Sequence, residues 1–254
     1  MAPLSDIIAW LDALLEPAGF GDAAPNGLQV PGPPQVRTVV TGVSAHAELF
    51  AAAAGHGADL VLVHHGLLWR GQPQVLDAVM HRRLKLLFDH DMALAAYHLP
   101  LDAHLEHGNN ALLAAGLGTE GQGPFALHDG RPIGVQARFS DDGVSAGELV
   151  ARVRDVVGGR QPLHIAAGPD PVRSIGIVSG AGTDFIADAA AAGLDCLLTG
   201  EPSERAYGMA RDHDVRFIAA GHHATETFGV TRLGDLLGAR FGVRHVAVDI
   251  PNPI

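Results

Sequence analysis

The chain has 254 residues, 47% of them hydrophobic and 18% charged, with a formal net charge of −11 when the histidines are neutral. That is enough chain to bury a sizeable core in an ordinary globular composition, and an acidic surface with no Lys/Arg cluster repels phosphate backbones and disfavours a nucleic-acid partner. The one cysteine, Cys196, has no partner for an intramolecular disulfide, which points to a reducing compartment.

The opening segment carries Ile7, Ile8, Leu11, Leu14 and Leu15 at helical spacing, with Ser5 as the expected N-cap. It has neither the basic start nor the unbroken apolar stretch of a secretory leader. No run in the chain reaches the roughly 18 apolar residues of a membrane-spanning helix. Together with the lone thiol, these features predict a cytoplasmic protein with no membrane partner.

A repeat follows. "VRTVVTGVSAHAELFAAAAGHGADLVLVHHG" begins at Val36, and "VRSIGIVSGAGTDFIADAAAAGLDCLLTGEP" begins at Val172; the two align without a gap. Each reads as strand, Gly/Ser turn, Ala-rich helix and second apolar strand, a βαβ unit twice over. The first copy ends on His64 and His65, the second on Gly200 and Glu201. Further along, at a different offset, "LAAYHLPLD" (94–102) matches "IAAGHHATE" (218–226), which sets His98 against His222 and Asp102 against Glu226. The expectation is an α/β protein of two lobes with similar topology and mostly parallel sheets, covering 1–125 and 126–254. The Gly-rich "GQGPFALHDGRPIG" reads as the join. The closing strand, Val243 to Ile250, is a candidate to return to the first lobe.

Ligands of open α/β sheets bind beyond the carboxyl ends of strands. His64, His65, His98, His222 and Glu201 all follow predicted strands, and Asp102 lies just past His98. If the segment from His222 is helical, His222 and Glu226 share a face. Each piece alone has a bland reading, since strand ends are often polar and His-x-x-x-Glu recurs in helices. Together, four imidazoles and two carboxylates exceed the needs of one tetrahedral site and suit two metal ions. A carboxylate such as Asp102 or Glu226 can bridge ions about 3.5–4 Å apart, and mixed N/O ligation fits Zn, Fe, Mn, Co or Ni. Gly42, Gly180 and Gly182 match no nucleotide-phosphate motif, and Ser44 and Ser179 lack a nucleophile elbow and read as helix caps.

The motifs "APNGLQV" (24–30), "VHHG" (63–66), "YHLPLDAH" with "GNN" (97–110), "TGE" (199–201), "GHHATE" (221–226) and "DIPNP" (249–253) resemble the NIF-three-like family, also called GTP cyclohydrolase I type 2-like or dinuclear metal-centre hexameric proteins. They span nearly the whole chain, in family order and in a length that resembles the short bacterial form. The resemblance implies a NIF-three-like fold and a toroidal homohexamer with two divalent metal ions per subunit. It implies His64, His65, Asp102, His222 and Glu226 as metal ligands, with His98 or Glu201 as a further ligand or supporting partner. Many members have His-Thr-Asn-Leu-Asp at 98–102, whereas this chain has His-Leu-Pro-Leu-Asp. That change removes two polar side chains that could orient ligands. Asn26 matches a family position without an assignable role. The functional expectation is a metal-dependent hydrolase of an unknown small-molecule substrate; the alternative is a metal-binding or metal-delivery protein without turnover.

Overall fold

The structure, a computed structural model, describes residues 1–73 and 75–254. The chain forms two compact units, 1–101 with 229–251 and 102–228 with 252–254. Residues 120 to 138, expected to hold the join, instead form an antiparallel hairpin of the second unit, with Glu120–His128 paired to Arg131–Arg138. Its turn is Asp129-Gly130, both at positive φ, +47° and +80°. Asp-Gly is the residue pair that such two-residue turns favour. The glycines that read as a linker are therefore strand and turn positions.

The first unit holds a five-stranded sheet in the order Arg244–Ala247, Thr38–Ser44, Leu60–His65, Ala93–Ala96, Gly27–Val30. The first four strands run parallel and Gly27–Val30 is antiparallel. Leu60 and Leu62 pack with Ile7, Leu11, Leu233 and Leu237, from the helices Leu4–Leu15 and Thr227–Phe241. Val61 and Val63 pack on the other face with Leu49, Phe50 and Leu87, from the helices Ala47–Gly55 and Ala78–Asp89. Burial on both faces is why this strand reads as an unbroken apolar run rather than an alternating one. The first helix begins at Leu4 after Pro3, whose extended backbone makes the entry without a side-chain cap. Ser5, the expected cap, lies inside the helix and donates to Asp6.

The second unit holds a six-stranded mixed sheet in the order Glu120–His128, Arg131–Arg138, Ser174–Val178, Cys196–Thr199, Arg216–Ala219, Leu163–Ile165. Its three central strands after the hairpin are parallel to one another, and the strands flanking them are antiparallel. The fold is thus α/β, with one large sheet in each unit and a two-stranded antiparallel pair, Ala2–Pro3 with Gln35–Val36. The repeat is visible in the pairing. It carries Val39 onto Ile175 and Leu60 onto Cys196, and both Val39–Leu60 and Ile175–Cys196 are direct partners. The shorter match slips by one residue. Tyr97 N–H donates to Val63 O at 3.1 Å, and Ala220 N–H to Thr199 O at 2.9 Å. His98 therefore corresponds to Gly221, and His222 comes one residue later. Among the described residues, no helix is long and apolar enough to cross a membrane.

Candidate metal centre

In the first unit, parallel pairing of Leu60–His65 with Ala93–Ala96 ends both strands on the same edge. His64 and His65 close one strand, and His98 lies just beyond the other. The three rings sit 4.7 to 5.5 Å apart between centroids, and each offers a nitrogen within 4.8 Å of the others. Their outer nitrogens are anchored. His64 Nδ1–H donates to the Tyr97 carbonyl at 3.0 Å. His98 Nδ1–H donates to Asp22 Oδ1 at 2.9 Å. His65 Nδ1 shares a hydrogen bond with Ser44 Oγ at 3.1 Å. A carbonyl and an ionised carboxylate can only accept, so in the neutral imidazoles of His64 and His98 the lone pair belongs to Nε2. An imidazole oriented in this way is the usual form of a metal-ligating histidine.

Asp22 was not apparent from the sequence, yet it organises this corner. Burial would raise its carboxyl pKa. Hydrogen bonding and charge from His98, with bonds from Ala24 N–H and Asn26, outweigh burial and hold it well below the usual carboxylate range. Asn26 gains a role too, because its Oδ1 accepts from the His98 backbone N–H at 2.7 Å. Trp69 stands edge-on to His98 at 5.1 Å, its Nε1–H donating to Gly66 O at 3.1 Å.

In the second unit, Glu201 follows the strand Cys196–Thr199, His222 and Glu226 follow Arg216–Ala219, and Asp102 lies in the short helix Leu99–Ala103. Asp102 Oδ1 accepts from Asn109 Nδ2 at 2.8 Å and from Ser179 Oγ at 3.0 Å. Asp102 thus takes these hydrogen bonds from the "GNN" segment and from Ser179. His222 lies between two carboxylates, with Nδ1 3.3 Å from Glu201 and Nε2 3.3 Å from Glu226. Burial lowers its pKa, but Glu226 and then Glu201 outweigh burial and raise it. The segment is not one helix. His222–Thr225 forms a single turn, Glu226 breaks it, and Thr227–Phe241 starts again. Gly180, at φ +63°, leaves room for this turn, since a Cβ there would collide with Glu226.

Asp102 and Glu226 are 6% and 2% exposed, and their carboxylate oxygens approach within 4.8 Å. Two buried carboxylates so close resist joint ionisation unless a cation lies beside them. The donor set therefore fits a divalent metal, and groups of His, Asp and Glu able to hold metal ions are present. Neither serine is the expected cap. Ser44 bonds His65, while His46 caps the next helix by accepting from Leu49 N–H at 3.3 Å; Ser179 bonds Asp102.

Comparison with known proteins adds a separate line of support. The family model described as Duf34/NIF3 (NGG1p interacting factor 3) matches residues 2–253. A relative from Pseudomonas aeruginosa, called GTP cyclohydrolase 1 type 2 homolog, is 45% identical over 250 residues, covering 98% of each chain. A solved structure described as protein ybgI, of unknown function, superimposes with a TM-score of 0.92 at 38% identity, over 100% of both chains. That of TTHA1606 from Thermus thermophilus gives 0.90 at 36% identity, again over 100% of both.

Proposed function

The chain belongs to the Duf34/NIF3 family, and from that premise we propose that it is a hydrolase of a small-molecule substrate, dependent on two divalent metal ions. His64, His65, Asp102, His222 and Glu226 are the proposed ligands, with His98 and Glu201 completing or supporting the set. The observation that carries this reading is the orientation of His64 and His98. Each has its Nδ1–H bound to an obligate acceptor, which leaves Nε2 as the donor atom. The close buried pair Asp102 and Glu226 supplies the matching negative charge.

Two such cations, of Zn, Fe, Mn, Co or Ni, would acidify water and polarise a carbonyl or phosphoryl oxygen. The chain's own residues do the rest. Tyr97 O, Ser44 and Asp22 hold the three imidazoles in place. Asn109 and Ser179 fix one oxygen of Asp102. Glu201, beside His222 Nδ1 and itself partly exposed, is the group able to pass a proton to solvent. A toroidal homohexamer belongs to the same proposal.

Metal analysis of purified protein tests the centre, together with a hydrolysis screen of phosphoesters, cyclic amidines and nucleotides, GTP among them. The expected result is about two divalent ions per chain, loss of metal in His64→Ala and Glu226→Gln, and turnover of at least one compound class. Full metal occupancy with no turnover would overturn the hydrolase. Transfer of exchangeable metal to an apo-acceptor would then identify a delivery protein. Sedimentation of the same samples reads the assembly.

A further inference from the structure

Arg160 follows Gly158 and Gly159, whose φ values of +76° and +88° turn the chain out of the helix Ala146–Val156. It precedes the edge strand Leu163–Ile165, which runs antiparallel to Arg216–Ala219 with Leu163 opposite Ala219. Continuing that pairing backward brings residue 160 to the carboxyl end of Arg216–Ala219, where Gly221 and His222 follow. There the Arg160 side chain lies on the Gly221 backbone. A Cβ added to Gly221 would come within 2.7 Å of Arg160 Nε and 3.2 Å of Cζ. Gly221 also stands at φ +105°, so both its conformation and the arginine packed on it exclude a side chain.

Arg160 as a residue is half-buried, and among the described residues its guanidinium makes no hydrogen bond or ion pair. Arg216, also in this sheet, commits both of its terminal nitrogens within the protein, bonding His164 and donating to the Gly168 and Pro169 carbonyls. Arg160 has no such arrangement, although the chain carries 28 acidic residues against 17 basic ones and could readily have supplied a carboxylate. Its N–H donors, open to solvent and without a protein acceptor beside the turn that carries His222, are available to an incoming anion.

We propose that Arg160 binds an oxyanion of the substrate, a phosphate or a carboxylate, beside the residue that leads into His222. This rests on the metal-centre reading for the identity of the site and extends it to the substrate: a molecule with an anionic group held by the planar guanidinium fork. Gly221 contributes by lacking a side chain.

The test is calorimetric titration of full-length protein with orthophosphate and, separately, acetate. Wild type, Arg160→Ala and Arg160→Lys are each measured metal-loaded and metal-stripped. At least one anion is expected to bind wild type and to lose about tenfold or more in affinity in Arg160→Ala, with a smaller loss in Arg160→Lys. The anion that the arginine discriminates names the group. If Arg160→Ala binds both anions as tightly as wild type, or if wild type binds neither at millimolar concentration, the proposal is overturned. A purely structural Arg160 would shift the melting temperature and leave anion affinity alone. Metal content is read on the same samples. A wild type that takes up no metal on loading, yet loses anion affinity on Arg160→Ala, would sink the metal centre and keep the anion site.

Discussion

One carboxylate oxygen of Asp22 accepts from His98 Nδ1–H at 2.9 Å, and the other accepts from Leu99 N–H and Asn26 Nδ2, both at 3.0 Å. One buried side chain thus sets the ring orientation of a candidate ligand and the start of the segment leading to Asp102.

Asp22→Asn should therefore weaken metal binding without removing a ligand. The amide can offer His98 an oxygen but no charge, and it cannot serve both oxygens' donors equally well. Loss of such an orienting partner typically costs about 10–100-fold in metal affinity. Competition against a chelator, with wild type alongside, measures it. Equal affinity in the two proteins would show that Asp22 only stabilises the loop.

Gly180→Ala should damage the second unit's cluster through shape alone. The new methyl group collides with Glu226 and forces a non-glycine residue to φ +63°. Together these should cost about 1–3 kcal/mol, read as a lower denaturant midpoint, and metal content should fall with it. An unchanged midpoint would mean that Glu226 has freedom to move that the packing does not suggest.

Cys196 should make the protein less stable in alkali. Burial pushes its thiol up to about 12 from an ordinary 9.0, with Arg216 opposing and Asp195 adding. Its folded pKa is thus above its unfolded one. The stabilisation is complete below pH 9 and is lost as pH rises from 9 toward 12. Urea midpoints at several pH values across that window should fall less steeply in Cys196→Ala than in wild type. Parallel slopes would exclude the thiol as a contributor. Native protein should also resist thiol reagents near pH 8, since the group is fully buried and protonated.

Much of the candidate centre was legible before folding. His64, His65 and His98 lie where apolar runs end, and a strand end in a parallel sheet is a predictable place. The repeat gave the pairing register of its first two strands correctly, Val39 with Leu60 and Ile175 with Cys196. It misjudged the third, because aligning His98 with His222 matched residue types rather than hydrogen bonds. The hairpin at 120–138 was missed although its Asp129-Gly130 turn is a recognised signal; four glycines and two prolines within "GQGPFALHDGRPIG" masked the strands around it.

Periodicity along the chain by itself determined the α/β class, the paired βαβ units and the strand ends that carry imidazoles, because these depend on neighbours a few residues apart. Tertiary structure alone decided which groups hold the site residues and their neighbours: Asp22 on His98, Ser44 on His65, Asn109 and Ser179 on Asp102, Arg160 on Gly221. Most of these contacts join residues tens of positions apart, and a hydrogen bond over that separation leaves no period in the sequence. It arises only once strand register has brought both ends to the same edge of a sheet.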